Sequence, residues 1–253
     1  MTHPAQTIDF HKFKVSCKAC SLQELCLPRG LDSSGMDRLE EIVKRSRPVQ
    51  RGDLIFRAGD KLINIYAVRS GTVKLSMLDE SGADQILGFI FPGEIIGLDG
   101  IDKQVHQVSA TAIEVATYCS FPFSSINNIC KQIPDLQMQL MRLMSRQLTA
   151  ENELILTIGK KNADEKIAIF LLSLSARFHT LGFSASEFKL SMSRQDIANY
   201  LGLTIETVSR VFSRLQRDGI IKIDRKMVTI QDRDALVSVS ISCQTAKKLT
   251  GHD

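Results

Sequence analysis

The stretch SRQDIANYLGLTIETVSRVFSRLQR, residues 193–217, decides the fold of the last third of the chain. Ser193 is a good N-cap residue, and the run to Tyr200 turns Ile197 and Ala198 onto one inward face. Leu201, Gly202 and Leu203 follow. A second helical run then extends from Thr204 to Arg217, with Val208, Val211, Phe212 and Leu215 as its buried stripe. Ala198 is small where two helices must approach, and Gly202 supplies a positive-φ turn between them. A small residue, a glycine and an apolar β-branched residue, in that order, are what a helix-turn-helix needs.

In such a unit the second helix enters the major groove of DNA with its N-terminal residues against base edges. Here those are Ile205, Glu206, Thr207, Ser209 and Arg210. Arg210 can grip guanine O6 and N7 with two bonds, Glu206 can accept from cytosine N4, and Ser209 can bond a base or a phosphate. Glu206 and Arg210 also stand four apart, as a plain surface ion pair would. At the start of a recognition helix base readout is the better reading, with the pair orienting Arg210. Arg214 and Arg217 lie farther along and suit phosphates. Beyond Gly219, residues 220–223, a turn at Asp224-Arg225-Lys226 and residues 228–230 read as a hairpin wing.

Working outward, charge follows the same division. Residues 1–159 carry 17 basic and 18 acidic side chains, whereas residues 160–253 carry 15 and 10, so the basic excess sits with the helix-turn-helix. At 253 residues the chain suggests two domains and buries enough surface to fold without disulfides. No apolar run approaches the ~18 residues of a membrane span. Residues 1–10 lack the basic start and apolar core of an export signal, so the expected address is cytoplasmic, where six cysteines stay reduced unless something binds them. With 6 Pro, 15 Gly and 6 Cys, collagen-like, disordered and disulfide-rich classes are excluded.

Residues 39–123 are punctuated by glycines at 52, 59, 71, 82, 88, 93 and 97, with short apolar runs between them, the last covering residues 110–119. That pattern indicates a small β-sandwich or barrel with a hairpin tip at residues 79–82. After Pro134 glycine becomes scarce. Met141, Met144, Leu148, Glu151, Ile155 and Ile158 recur at alternating spacings of three and four, a heptad seam that could pair two chains or pack within one. Glu151 argues against a plain core, because an isolated buried carboxylate is costly. In a symmetric parallel dimer its two copies would face and repel each other. Residues 162–178 read as another amphipathic helix.

Cys17, Cys20 and Cys26 are spaced C-x2-C-x5-C, a density that in a reducing compartment marks metal ligands. A fourth ligand would be Cys119, Cys130 or Cys243. Only one C-x2-C pair is present, unlike common zinc sites, and ferredoxin spacing is also absent, so iron–sulfur and zinc both stay open on chemistry alone. No Ser/His/Asp grouping, phosphate loop or paired-His spacing supports an enzyme. His3, His11, His106, His179 and His252 are scattered.

Residues 17–28 (CKACSLQELCLP), 66–71 (YAVRSG), 140–145 (LMRLMS) and 200–210 (YLGLTIETVSR) together resemble the cyclic-AMP receptor superfamily. The likeness is closer still to its fumarate and nitrate reduction regulator branch. It implies an α+β fold of four parts: a cysteine-rich cluster-binding segment (1–30), a cyclic-nucleotide-binding-like jelly roll or β-roll (31–133), a long dimerisation helix (134–160) and a winged helix-turn-helix (161–253). It implies one oxygen-labile 4Fe-4S cluster per subunit on Cys17, Cys20, Cys26 and Cys119, with Leu25 shielding it, and leaves Cys130 and Cys243 structural or incidental. It implies a homodimer reading palindromic TTGAT-type sites through Glu206, Ser209 and Arg210, with the cluster intact. RNA polymerase would be met by residues 79–84. The expected role is an oxygen-sensing regulator, mainly an activator of anaerobic genes, and not an enzyme. The alternative is a zinc-stabilised or cluster-free regulator of the same fold answering another signal. Superfamily members that bind cyclic nucleotides follow a Gly-Glu turn with an Arg-Ser pair. Here Gly93-Glu94 is followed by VHQVSA at residues 105–110, without arginine, so no cyclic nucleotide is expected.

Overall fold

A computed structural model describes residues 16–80 and 82–241. Cys243, His3, His11 and His252 therefore lie outside the described residues.

Two four-stranded antiparallel sheets face each other. Their strands are β1 (Lys44–Arg45), β2 (Leu54–Phe56), β3 (Asn64–Ser70), β4 (Val73–Leu78), β5 (Asp84–Ile90), β6 (Ile95–Ile96), β7 (Ser109–Ala112) and β8 (Thr117–Pro122). One sheet runs β1-β8-β3-β6 and the other β2-β7-β4-β5, so neighbours in sequence repeatedly land in different sheets, as in a jelly roll. The apolar run 110–119, expected as one strand, is split between β7 and β8. At its break the backbone at Val115 and Ala116 presses on Gly71: a Cβ there would lie 2.4 Å from the Val115 carbonyl oxygen. Gly71 also has φ +76°, so no other residue serves.

Helices bracket the roll. The first, α1 (Ser33–Ile42), is capped by Asp32, whose carboxylate accepts the Gly35 N–H at 2.7 Å. After the roll come α2 (Phe123–Gln132) and α3 (Pro134–Lys160), the latter about 40 Å long at ~1.5 Å per residue. Neither α1 nor α2 is visible in the glycine spacing from which strands are expected across residues 39–123; they lie at and beyond its two ends. Leu39, Phe121, Ile126, Cys130 and Leu136 close the core between these helices and the β1-β8-β3-β6 sheet.

The C-terminal part opens with α4 (Ala163–Thr180), where Asn162 and Glu165 form a reciprocal capping box. There follow β9 (Glu187–Lys189), α5 (Arg194–Leu201), α6 (Ile205–Arg217), β10 (Ile221–Asp224), β11 (Met227–Ile230) and α7 (Arg233–Ile241). The wing has three strands, in the order β10-β11-β9, rather than the expected two. Its core is continuous with the roll: Ile86, Phe89 and Phe91 pack with Ile167, Phe170, Ala198 and Leu201.

Candidate cysteine centre and nucleic-acid interface

The chain from Cys17 to Leu31 is a series of tight turns laid against the first sheet. Cys17 opens a 3-10 turn, and its N–H donates to Glu40 of α1 at 2.8 Å. The other Glu40 oxygen accepts from the Arg45 guanidinium at 2.6 Å. Arg45 lies directly across from Cys119 in the β1–β8 pairing. One carboxylate thus links the first cysteine to the strand beside the last. Cys26 is held by its N–H to the Leu22 carbonyl at 3.0 Å and precedes the fully buried Leu27. Leu25 rests on the turn at Gly93, where a Cβ would come within 2.8 Å of the Leu25 Cβ. Gly93 is the second position where only glycine fits.

Burial pushes the Cys17 thiol up to about 12, helped by its bond to Glu40 and opposed by Arg45. Burial also carries Cys26 to about 12, with the charges of Cys119, Cys17 and Cys20 adding to the rise. Cys119 is raised by burial too, against the pull of Arg45 and Arg69. The four sequence-predicted ligands therefore share one electrostatic neighbourhood. A cavity of about 470 Å³, lined by Cys20, Leu22, Arg69, Ser70 and Thr117, opens where the cysteine segment meets β3 and β8. Thr117 and Cys119 alternate onto the same face of β8.

Among the described residues no three Cys, His, Asp or Glu side chains converge tightly enough for a single metal ion. Four soft thiols within electrostatic reach of one another, with Arg45 and Arg69 acting on Cys119 to balance thiolate charge, are ligands of the kind an iron–sulfur cluster takes. Cys130 belongs to the core beneath, on α2.

The reading head follows its sequence logic closely. Ser193 caps α5 in a reciprocal box with Asp196, Gly202 has φ +62°, and Thr204 caps α6 by accepting the Thr207 N–H at 3.2 Å. Ile197, Ala198, Val208, Val211, Phe212 and Leu215 are all buried. Glu206, Ser209 and Arg210 stand exposed together on the outer face of α6. Three details differ from expectation. No ion pair joins Glu206 to Arg210 among the described residues; the Ser209 hydroxyl donates back to the Ile205 carbonyl at 2.9 Å; and Arg214 pairs with Asp164 of α4. The Thr207 hydroxyl is shared with Thr204 at 3.0 Å, so it serves the cap. Arg225, at the wing tip, adopts φ +55°.

On α3 the seam faces away from the chain's own core. Met141, Met144, Leu148, Ile155 and Ile158 are exposed, Leu148 by 60% and Ile155 by 67%. Glu151 is exposed among them and accepts from Gln147 one turn back at 3.3 Å. Exposed apolar stripes of this size are characteristic of interaction surfaces.

Residues missed by sequence reasoning are those that join distant segments: Glu40, Arg45, Gln139 and Asn199. The Asn199 amide accepts from the Ile86 N–H and donates to the Asp84 carbonyl, both at 2.6 Å, bonding α5 to the edge of β5. No local spacing signals such contacts.

Comparison with known proteins agrees with this architecture. Residues 46–133 match the cyclic nucleotide-binding domain family and residues 165–239 the Crp-like helix-turn-helix domain family. The transcriptional activator protein Anr of Pseudomonas protegens is 50% identical over 216 residues, covering 85% of this chain and 88% of that protein. The fumarate and nitrate reduction regulatory protein of Shigella dysenteriae is 41% identical over 226 residues, covering 89% and 90%. The structure of FixK2 from Bradyrhizobium japonicum superposes with a TM-score of 0.72 at 28% identity, covering 78% of this chain and 97% of that one. With its β-roll, exposed helical seam and winged helix-turn-helix, the chain belongs to the FNR-type branch of the Crp/Fnr family of transcription regulators.

Proposed function

We propose that this regulator senses oxygen through a 4Fe-4S cluster held by Cys17, Cys20, Cys26 and Cys119, one per subunit, and acts mainly as an activator of anaerobic genes. The observation that carries the reading is that Cys20 lines a cavity where the cysteine segment meets β3 and β8, while Cys17, Cys20 and Cys119 all lie near enough for their charges to act on Cys26. When bound, such a cluster supplies an oxygen-labile joint between the N-terminal segment and β8.

The chain's own residues do the rest. Glu40 and Arg45 hold the Cys17 turn against β1, and Leu25 closes over Gly93 and screens the thiols. A fastened segment steadies the start of α3, and two copies pair along Met141, Met144, Leu148, Ile155 and Ile158. Glu151 repulsion keeps that pairing weak and so adjustable. The dimer then presents two α6 helices about one helical turn of DNA apart, to a palindrome of TTGAT-type half-sites. Glu206, Ser209 and Arg210 read bases, while Arg217 and the wing tip touch the backbone. Oxygen frees the segment, the dimer loosens and DNA affinity falls. Residues 79–84 are the proposed contact for RNA polymerase, and the protein works in the cytoplasm, where thiols stay reduced.

Cyclic nucleotide is not the signal in this reading. The Glu94 carboxylate is already committed to the Phe91 N–H at 2.9 Å and lies 3.7 Å from Arg177, and Leu25 covers the neighbouring Gly93. The deciding experiment is iron, sulfide and zinc analysis of protein prepared without air. A straw-brown protein with about four iron and four sulfide per chain, by the stoichiometry of the cluster type, supports the reading. A colourless zinc protein overturns it.

A further inference from the structure

Gln139 is fully buried in the first turns of α3. Its Nε2 donates to the carbonyl of Cys26 at 3.2 Å, across 113 residues of sequence. Its Oε1 is the one buried side-chain polar atom among the described residues with no hydrogen-bond partner. A half-satisfied amide in an apolar core is costly, so stability does not explain its presence. Leu136, one turn earlier, fills the same core with no such cost. What the amide does, and an apolar side chain cannot, is grip the peptide that carries Cys26.

The surroundings give that grip a direction. Among the described residues, the other long-range side-chain hydrogen bonds and ion pairs of the cysteine loop run to α1, through Ser33, Asp37 and Glu40, and Leu25 packs on the roll at Gly93. Gln139 instead reaches it from the helix that bears the seam. In the same turns of α3, Met138 and Met141 are exposed, by 49% and 53%, where the apolar stripe begins. The loop and the seam therefore sit on different sides of one short helical segment.

We propose that Gln139 is the positioning residue that ties α3, and with it the dimer seam, to the state of the cysteine loop; this rests on reading the four cysteines as a cluster site. A shift of the Cys26 peptide moves the tether's anchor. The unpaired Oε1 leaves the amide a second bond to make when the loop rearranges.

The test uses the full chain, both cluster-loaded without air and cluster-free, with Gln139→Met. Methionine keeps the length, the helix preference and the burial while removing both polar atoms. Dimer dissociation constants come from sedimentation, with iron content measured on the same samples. Wild type is expected to dimerise more tightly when loaded. In Gln139→Met that gain shrinks by about two- to tenfold, the range one hydrogen bond sets, while iron content holds. An undiminished gain overturns the proposal.

Should the variant hold less iron, amide exchange of its cluster-free form decides. Faster exchange confined to residues 22–28 supports the tether, and faster exchange throughout the core marks a packing role and overturns it. A wild type with no iron, or no gain on loading, overturns the functional reading itself, an outcome seen in the wild-type arm alone.

Discussion

Arg210 and Cys17 show how much one side chain's surroundings decide. Among the described residues nothing holds Arg210 on α6, which suits its guanidinium to a bidentate grip on guanine. Arg210→Ala should cost ~1–3 kcal/mol of DNA affinity and relax preference at a single base pair. Binding measured across single-base variants of the site checks this; an equal loss on every sequence would make Arg210 a phosphate contact. Cys17 is the opposite case, a thiol whose protonated form is favoured by burial and by the nearby Glu40 carboxylate. Its pKa in the fold is raised from 9.0 to about 12, so the contribution to stability is fully present below about pH 9. It drains away as pH climbs toward 12. Cluster-free wild type should therefore lose thermal stability over that window more steeply than Cys17→Ser. Parallel melting curves for the two proteins would refute the assignment.

At the level of elements, α3 is the one whose sequence and structure pull apart. Its 27 residues carry an apolar stripe that the chain does not bury, and a carboxylate in the middle of it. Glu151→Leu keeps a strong helix former and removes the like charge expected across a parallel seam. The aerobic dimer should tighten by roughly 1 kcal/mol, about fivefold, the scale of an exposed charge pair; unchanged aerobic dimerisation would exclude a gating role for Glu151. The stripe itself was legible from heptad spacing, and the α5–α6 turn from Ala198, Gly202 and Val208, because both obey local periodicity. The roll was legible as strands between glycines, but α1, α2 and the third wing strand were not, since short elements leave too few repeats to show a period. The Glu206–Arg210 pair failed to form because exposed pairs gain little for the side-chain freedom they lose. Of the cysteine centre, the thiols stood out by spacing. Glu40, Arg45 and Gln139, which position them, did not, because each acts across a long stretch of sequence.

For the whole molecule, β-roll and reading head meet in a shared core rather than across a loose linker. Phe89 of β5 packs edge-on against Phe170 and Tyr200, at ring distances of 6.3 and 5.1 Å, and Arg177 of α4 donates to the Phe89 carbonyl at 2.8 Å. Thr72 of the roll donates to the hydroxyl of Ser191 at 3.0 Å, and both hydroxyls also reach Glu114. Within this contact Asn199 is distinctive. Its amide copies a strand's hydrogen-bonding edge, taking the Ile86 N–H and giving to the Asp84 carbonyl, and the Gln85 side chain returns a bond to the Asn199 carbonyl at 3.1 Å. The first helix of the reading head is thereby fastened to the β4–β5 hairpin. Asn199→Ala leaves the half-buried Ile86 amide without its acceptor, at a cost of about 1–3 kcal/mol. Because Asn199 is on neither the seam nor the outer face of α6, that cost falls on the angle between the roll and the head. The variant should dimerise as wild type does and keep its iron, yet bind a palindrome less tightly, since its two heads no longer hold a fixed spacing. A single half-site, bound by one head, should be affected far less. Equal losses on half-site and palindrome would show that Asn199 supports the fold of α5 alone.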